Sequence, residues 1–272
     1  MSYIAITMRT GAEQSDLLVA QLSLLGYEGF EEQTDALVAY IPEADFDEAL
    51  LKETLAPHGV SYTKETILPE NWNAVWESNF EPVQVDDFCG IRADFHRPFD
   101  PQPAYEIVIT PKMSFGTGHH ATTSSMIKLM ESLVFSGKRI FDFGTGTGIL
   151  AILAEMMGAA VVDAIDYDEW AVNNTIENIA ANNMKKIKIW QADNLDAITE
   201  KYDILLANIN CNILLQFMGD MRRLLQPGGI LLLSGILPSD EVQITESAVS
   251  QGFVKEKKIE KNNWLAMQFV AV

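Results

Sequence analysis

Apolar positions over residues 1–68 follow two different periods. A two-residue period marks strands at Tyr3 to Arg9, Tyr27 to Gln33, Ala36 to Ile41 and Ser61 to Leu68, because successive side chains of a strand face opposite ways. A period of about 3.6 residues marks helices at Gln14 to Leu25 and Phe46 to Leu55. The order β-α-β-β-α-β predicts a ferredoxin-like α+β domain over residues 1–68, with both helices on one face of its sheet and the other face open to a partner. Residues 69–82 read as a linker helix, since Trp72, Trp76 and Phe80 are spaced four apart and share one helical face. That stripe is expected to dock the linker on the domain that follows, with a direct substrate contact as the alternative.

Over residues 83–272 short apolar runs alternate with amphipathic stretches. Strands are predicted around Val83 to Phe95 and at Glu106 to Thr110, then a helix at Ser124 to Leu133. The apolar run Arg139 to Phe143 precedes a helix at Ile149 to Met157; Ala160 to Ile165 precedes a helix at Glu169 to Ala181; and Lys186 to Trp190 is a further short strand. After Asn208 come a helix at Ile213 to Leu225, a Pro227-Gly228-Gly229 turn, a strand at Ile230 to Ser234 and a helix at Glu241 to Gln251. The chain closes with Gly252 to Glu260 and Trp264 to Val272, which meet across Lys261-Asn262-Asn263 as an antiparallel hairpin. With a further strand ending at Asn208, the count from Arg139 is seven, an α/β sheet with helices on both faces and right-handed crossovers.

Asp142-Phe143-Gly144-Thr145-Gly146-Thr147-Gly148 lies between a strand and a helix start, the setting of a nucleotide-type cofactor site. Glycine is needed there because the turn demands backbone angles that side chains resist, and because the ligand approaches the backbone at a helix N-terminus. Ile149 stands where the dinucleotide fingerprint G-x-G-x-x-G has its third glycine, so a nicotinamide enzyme ranks last. The acidic residue ahead of G-x-G-x-G is instead similar to motif one of the S-adenosylmethionine-dependent methyltransferases. Asp166 ends the next strand at roughly 20 residues beyond the glycine loop, where an acidic group accepts the ribose hydroxyls. Asp168 is expected to cap the following helix. Asp193, after the strand ending at Trp190, falls where this class places a group near the adenine amine; a solvated loop carboxylate is the alternative.

Composition narrows the function. The chain has 272 residues, room for two domains, and a formal net charge of −19. Such a charge argues against sequence-independent nucleic-acid binding, which needs clustered Lys and Arg, and suits a basic protein partner. The acidic surplus of the N-terminal domain serves solubility or recognition of that partner. Cys89 and Cys211 form neither a metal spacing nor a disulfide framework, and no apolar run approaches the ~20 residues that cross a bilayer; a cytoplasmic, metal-free monomer is expected.

A second loop, Phe115-Gly116-Thr117-Gly118-His119-His120-Ala121-Thr122-Thr123, precedes a helix and on its own reads as a capped turn. It resembles the F-G-T-G-x-H-x-T-T loop of the ribosomal protein L-eleven methyltransferases, PrmA. Asp142 to Leu150 resembles that family's motif one, Leu206-Ala207-Asn208-Ile209 its A-N-I element, and Asn71 to Pro82 its linker. The resemblance spans nearly the whole chain. It implies a class I methyltransferase fold, Rossmann-like, with S-adenosylmethionine bound by Thr123, the turn of Gly144, Gly146 and Gly148 behind Asp142, Asp166 and Asn208. It also implies that the N-terminal domain seizes ribosomal protein L-eleven, free or in the large subunit. Thr145 and Thr147 depart from the Cys and Ser common in the family at those places.

Chemically, the enzyme has to align an amine lone pair with the carbon–sulfur bond and strip water from it. Lysine ionises at ~10.4, so burial near the sulfonium charge must favour the neutral amine. Asn208 is placed to orient cofactor or amine, and His120 either transfers a proton or orients its loop. Asn208-Ile209-Asn210-Cys211 lacks the proline and aromatic that stack on planar amides or bases, which favours an aliphatic amine, lysine or a protein N-terminus. A small-molecule amine methyltransferase leaves the N-terminal domain unexplained. A non-catalytic ribosome-assembly binder is the reading from another class.

Overall fold

The computed structural model describes residues 2–10, 12–33, 36–67, 80–112 and 116–272. The chain divides into two units, Met1–Trp76 and Glu77–Val272. Trp72 and Trp76 of the expected linker lie outside the described residues, as does Phe115.

In the first unit β1 (Tyr3–Arg9), α1 (Ala12–Leu24), β2 (Gly29–Gln33), β3 (Ala36–Pro42), α2 (Glu48–Leu55) and β4 (Tyr62–Ile67) follow in order. The strands form one antiparallel sheet, β2-β3-β1-β4. Ile4, Ile6 and Met8 of β1 share one core with Leu18 and Leu22 of α1 and Leu51 and Leu55 of α2, so both helices cover the same face. Asp47 starts α2 by accepting the Ala49 and Leu50 amides at 2.8 and 3.1 Å. The edge strand β4 is exposed from Thr63 to Ile67, and its Lys64 and Glu65 discourage further strand addition.

The second unit opens with β5 (Val83–Val85), β6 (Cys89–Ala93) and β7 (Tyr105–Ile109), a small three-stranded sheet. The stretch Val83 to Phe95 is thus two short strands, turned at Asp86 with its φ of +47°. Then come α3 (Ala121–Glu131), β8 (Arg139–Phe143), α4 (Ile149–Met156), β9 (Val161–Asp166), α5 (Glu169–Ala181), β10 (Ile187–Gln191), β11 (Tyr202–Asn208), α6 (Cys211–Leu224), β12 (Leu225–Ile236), α7 (Glu241–Ser250), β13 (Phe253–Lys261) and β14 (Trp264–Ala271). The helix α3 starts at Ala121, three residues before the expected Ser124, because His120 caps it and Thr122, Thr123, Ser124 and Ser125 are buried rather than loop-like.

Seven strands form the main sheet in the order β10-β9-β8-β11-β12-β14-β13, all running the same way except β14 of the terminal hairpin. Side chains alternate between two cores. Ile140, Leu206 and Leu232 enter one; Phe141, Leu205 and Leu231 enter the other, which explains near-continuous apolar strands. Asn262 and Asn263 turn the hairpin at φ of +50° and +61°, a left-handed pair that suits asparagine and matches strand twist. From β8 the chain winds out to β9 and β10, then crosses back to β11 and β12. Ligands of open α/β sheets bind outside the strand C-termini at such a reversal.

Candidate active site

A cavity of about 650 Å³ opens at that reversal, walled by the glycine turn after β8, the ends of β9 and β11, and the loop into α3. Gly144, Gly146 and Gly148 have φ of +74°, +60° and +81°, so three left-handed residues fold the turn away from the space a ligand would take. At Gly144 a Cβ would lie 2.3 Å from Cγ2 of Ile209, so this position is closed to side chains by packing as well as by backbone angle. The two threonines between the glycines are fasteners. Thr145 donates to Oδ2 of Asp142 at 2.6 Å, and Thr147 donates to the Gly116 carbonyl at 2.7 Å, tying the glycine turn to the histidine loop.

Asp166 ends β9 at 7% exposure and borders the cavity. Its Oδ2 accepts the Gly146 amide at 2.9 Å and its Oδ1 the Asp168 amide at 3.1 Å, which fixes the carboxylate with lone pairs to spare for ribose hydroxyls. Asp168 caps α5 by accepting the Trp170 amide at 2.9 Å. Asp142 lies beneath the turn, off the cavity lining and 1% exposed, and its Oδ1 has no hydrogen-bond partner. Burial pushes its carboxyl up to about 7; the Thr145 bond opposes the rise and the Asp166 charge adds to it.

The sign of the resulting pH effect follows from linkage. A carboxyl whose pKa is higher folded than unfolded stabilises the fold fully below its ordinary value of 3.8, and that contribution is lost as pH rises through about 7. We expect Asp142→Asn to remove this loss. The difference in melting temperature, variant minus parent, should therefore grow in the variant's favour between pH 4 and pH 7 and then level off. A flat difference across that range would contradict the raised carboxyl.

The opposite wall carries Asn208 at the end of β11 and Thr123 in the first turn of α3, joined by the Asn208 amide donating to Thr123 Oγ1 at 3.2 Å. The other amide atom, Oδ1 of Asn208, is buried without a partner. An orphaned acceptor at a cavity wall fits a ligand N–H, for otherwise its desolvation goes uncompensated. His120 lies beside them. Its Nδ1 is 2.8 Å from Thr122 Oγ1 and its ring meets the Trp264 ring edge-on at 4.9 Å, with both residues bordering the cavity.

Of the residues selected from sequence, His120, Thr123, Gly144, Gly146, Asp166 and Asn208 border the cavity. Gly148 begins α4 behind the turn, and Asp193 is exposed outside the lining, with the Asn194 amide on its Oδ1 at 2.7 Å. Sequence reasoning missed Trp264, Tyr167 and Gly235. Gly235 is the most consequential, because a Cβ there would lie 2.1 Å from the Ile209 carbonyl oxygen. It also missed an asparagine clasp on α5. Asn182 and Asn178 accept the Val108 and Thr110 amides at 2.8 Å each, standing in for a strand beside β7. Asn178 donates to the Thr147 carbonyl at 2.8 Å and Thr175 to the Gly146 carbonyl at 2.7 Å, so one helix holds both the sheet edge and the turn. The signal was present in the four-residue spacing of Asn174 and Asn178, buried on a helix where asparagine is a poor former, and of Asn182, which caps its C-terminus.

A seven-stranded sheet with a reversed terminal hairpin, a glycine turn backed by Asp142 and a ribose-type carboxylate at the second strand define a class I S-adenosylmethionine-dependent methyltransferase. The family described as ribosomal protein L11 methyltransferase (PrmA) matches residues 5–271, and the chain belongs to that family. A ribosomal protein L11 methyltransferase of Porphyromonas gingivalis is 43% identical over 93% of this chain and 90% of its own length. Another, of Phocaeicola vulgatus, is 40% identical over 99% of both chains. Among solved structures, a ribosomal protein L11 methylase of Lactobacillus delbrueckii subsp. bulgaricus superposes with a TM-score of 0.64 at 25% identity, covering 70% of this chain and 98% of that one. Among the described residues no helix is long and apolar enough to cross a membrane, and no cluster of ligands for a metal is found.

Proposed function

We propose that this chain transfers methyl groups from S-adenosylmethionine to lysine side-chain amines, the N-terminal amine, or both, of ribosomal protein L11. The family membership and the relatives' names support the protein substrate. The observation that carries the amine is the unpartnered Oδ1 of Asn208, an acceptor on the cavity wall with no planar-ring partner following it in Ile209-Asn210-Cys211.

Bound S-adenosylmethionine supplies an electrophilic sulfonium methyl. The chain's own residues hold the reactants. Asp166 accepts ribose hydroxyls, the turn at Gly144 and Gly146 admits the ligand against bare backbone, and Asp142 with Gly148 sets the turn from beneath. Asp193, although outside the cavity lining, is assigned to the adenine amine. Asn208 accepts one N–H of the incoming amine, which aims its lone pair; Thr123 Oγ1 accepts the Asn208 amide N–H and fixes that amide's orientation. His120 and Trp264 close the acceptor side and keep water off the amine, so that a neutral form is favoured. His120 is the group best placed to steady the loop or take up a proton.

The N-terminal unit, residues 1–68, is assigned as a ferredoxin-like module that grips the substrate protein, joined by a linker over 69–82 to a catalytic domain over 83–272. The assignment rests on its acidic surplus and on the absence of a catalytic constellation among its described residues, and the enzyme is taken to act as a cytoplasmic monomer. A chain lacking residues 1–68 should bind S-adenosylmethionine within about twofold of the parent yet leave ribosomal protein L11 unmodified. Calorimetry and intact mass read the two outcomes separately. Undiminished methylation of ribosomal protein L11 by the truncated chain would remove the recognition role.

A further inference from the structure

The histidine loop contains a second histidine that the site leaves unused. His119 is exposed, and it occupies the position that varies in the resembled loop pattern, ahead of His120. Its ring stands edge-on to Phe80 at 4.9 Å and 80°, while its Nδ1 lies 3.2 Å from Thr117 Oγ1. Phe80 is 5% exposed and stacks on its other side with His96 at 5.9 Å and 24°; His96 in turn accepts the Ala93 amide at 3.2 Å, at the end of β6. A run of rings therefore leads from the small sheet, through Phe80, to the loop.

Each neighbour of His119 matters to the cavity. Gly116 is held by Thr147 of the glycine turn, and Gly118 packs so closely on Ile91 and Val83 that a Cβ would lie 2.6 Å from Ile91 Cδ1. His120 caps α3, and three residues later, in the first turn, Thr123 holds Asn208. The loop has glycine at both 116 and 118, with φ of +105° and +93°, so its backbone is intrinsically permissive and side-chain contacts must select one shape. His119 supplies one such contact, with Phe80.

We propose that His119 is a positioning residue for methyl transfer: by bracing on Phe80 it sets the loop that places His120 and Thr123 at the acceptor side of the cavity. This rests on the assignment of Thr123, His120 and Asn208 to that side. It predicts an effect on turnover and little on cofactor binding, because the Asp166 side of the cavity does not touch the ring run.

The test is a double-mutant cycle in the full-length protein with ribosomal protein L11 as acceptor. His119→Ala and Phe80→Leu should each lower kcat by roughly tenfold, with S-adenosylmethionine affinity within twofold, since small misplacement of reacting groups is costly. The double variant should be no worse than Phe80→Leu alone, because His119 acts through its contact with Phe80. His119→Phe, which keeps an edge-on ring, should restore kcat. Parent-like kcat for His119→Ala, additive losses, or failure of His119→Phe to restore would each overturn the proposal. Asn208→Ala run alongside separates the two claims: if it transfers methyl normally, the acceptor-side assignment itself fails, whatever His119 does.

Discussion

Replacing Asp166 by alanine should abolish methyl transfer, and it should do so through loss of cofactor binding. The carboxylate closes the end of β9 with both oxygens anchored, one by the Gly146 amide and one by the Asp168 amide. Hydrogen bonds to a charged acceptor contribute about 1.5–3 kcal/mol each, so losing two ribose contacts lowers affinity by on the order of a hundredfold or more. The substitution also frees the Gly146 amide in the middle of a turn of left-handed glycines, which loosens the loop that cofactor must meet. Asp166→Asn is the finer probe. It keeps the size and one acceptor, and should bind more tightly than Asp166→Ala but well below the parent. Titration calorimetry with S-adenosylmethionine and with the demethylated product reads this directly. Unchanged affinity in the alanine variant would sink the ribose assignment.

Asn208→Ala should act on the other quantity. It removes the orphaned Oδ1 and the donor to Thr123 together, while Asp166 and the glycine turn stay in place. Removing one preorganised hydrogen-bonding group from a reacting centre typically costs on the order of 10²–10³ in kcat. Cofactor affinity should fall by much less, within about tenfold, because only the acceptor end of the cavity is altered. Single-turnover transfer to ribosomal protein L11 at saturating cofactor gives kcat without the binding terms. A variant that loses cofactor affinity in proportion to turnover would reassign Asn208 from amine to cofactor. Gly235→Ala gives an independent check on the same wall, since its Cβ must displace the Ile209 backbone next to Asn208.

The residues that were legible in the sequence are those whose signal is local. The seven-stranded sheet was readable because apolar runs of strand length alternate with helical periods, and the terminal hairpin because two asparagines mark its turn. The glycine turn and Asp166 were readable because their geometry requires a fixed spacing along one strand–turn–helix–strand unit. What escaped depends on contacts between distant positions. Gly235 looks like any strand glycine until the Ile209 carbonyl is placed against it. Trp264 reads as a hairpin residue until its ring is set against His120, 144 positions earlier. The start of α3 was placed too late because its first turn is built of threonine and serine, which favour caps and turns unless burial overrides them. Thr145 and Thr147, where the family commonly has Cys and Ser, each donate a hydrogen bond that shapes the turn, and their partners are not visible in the sequence.

Transfer of methyl groups to amines of ribosomal protein L11 is tested by the intact mass of the unmodified ribosomal protein after incubation with this chain and S-adenosylmethionine, followed by mapping of the modified residues. Increments of about 14 Da per methyl, confined to lysines or the N-terminal amine and absent with Asp166→Ala, are the expected result. An unchanged mass under conditions where S-adenosylmethionine binds, or increments on glutamine or asparagine amides, would contradict it.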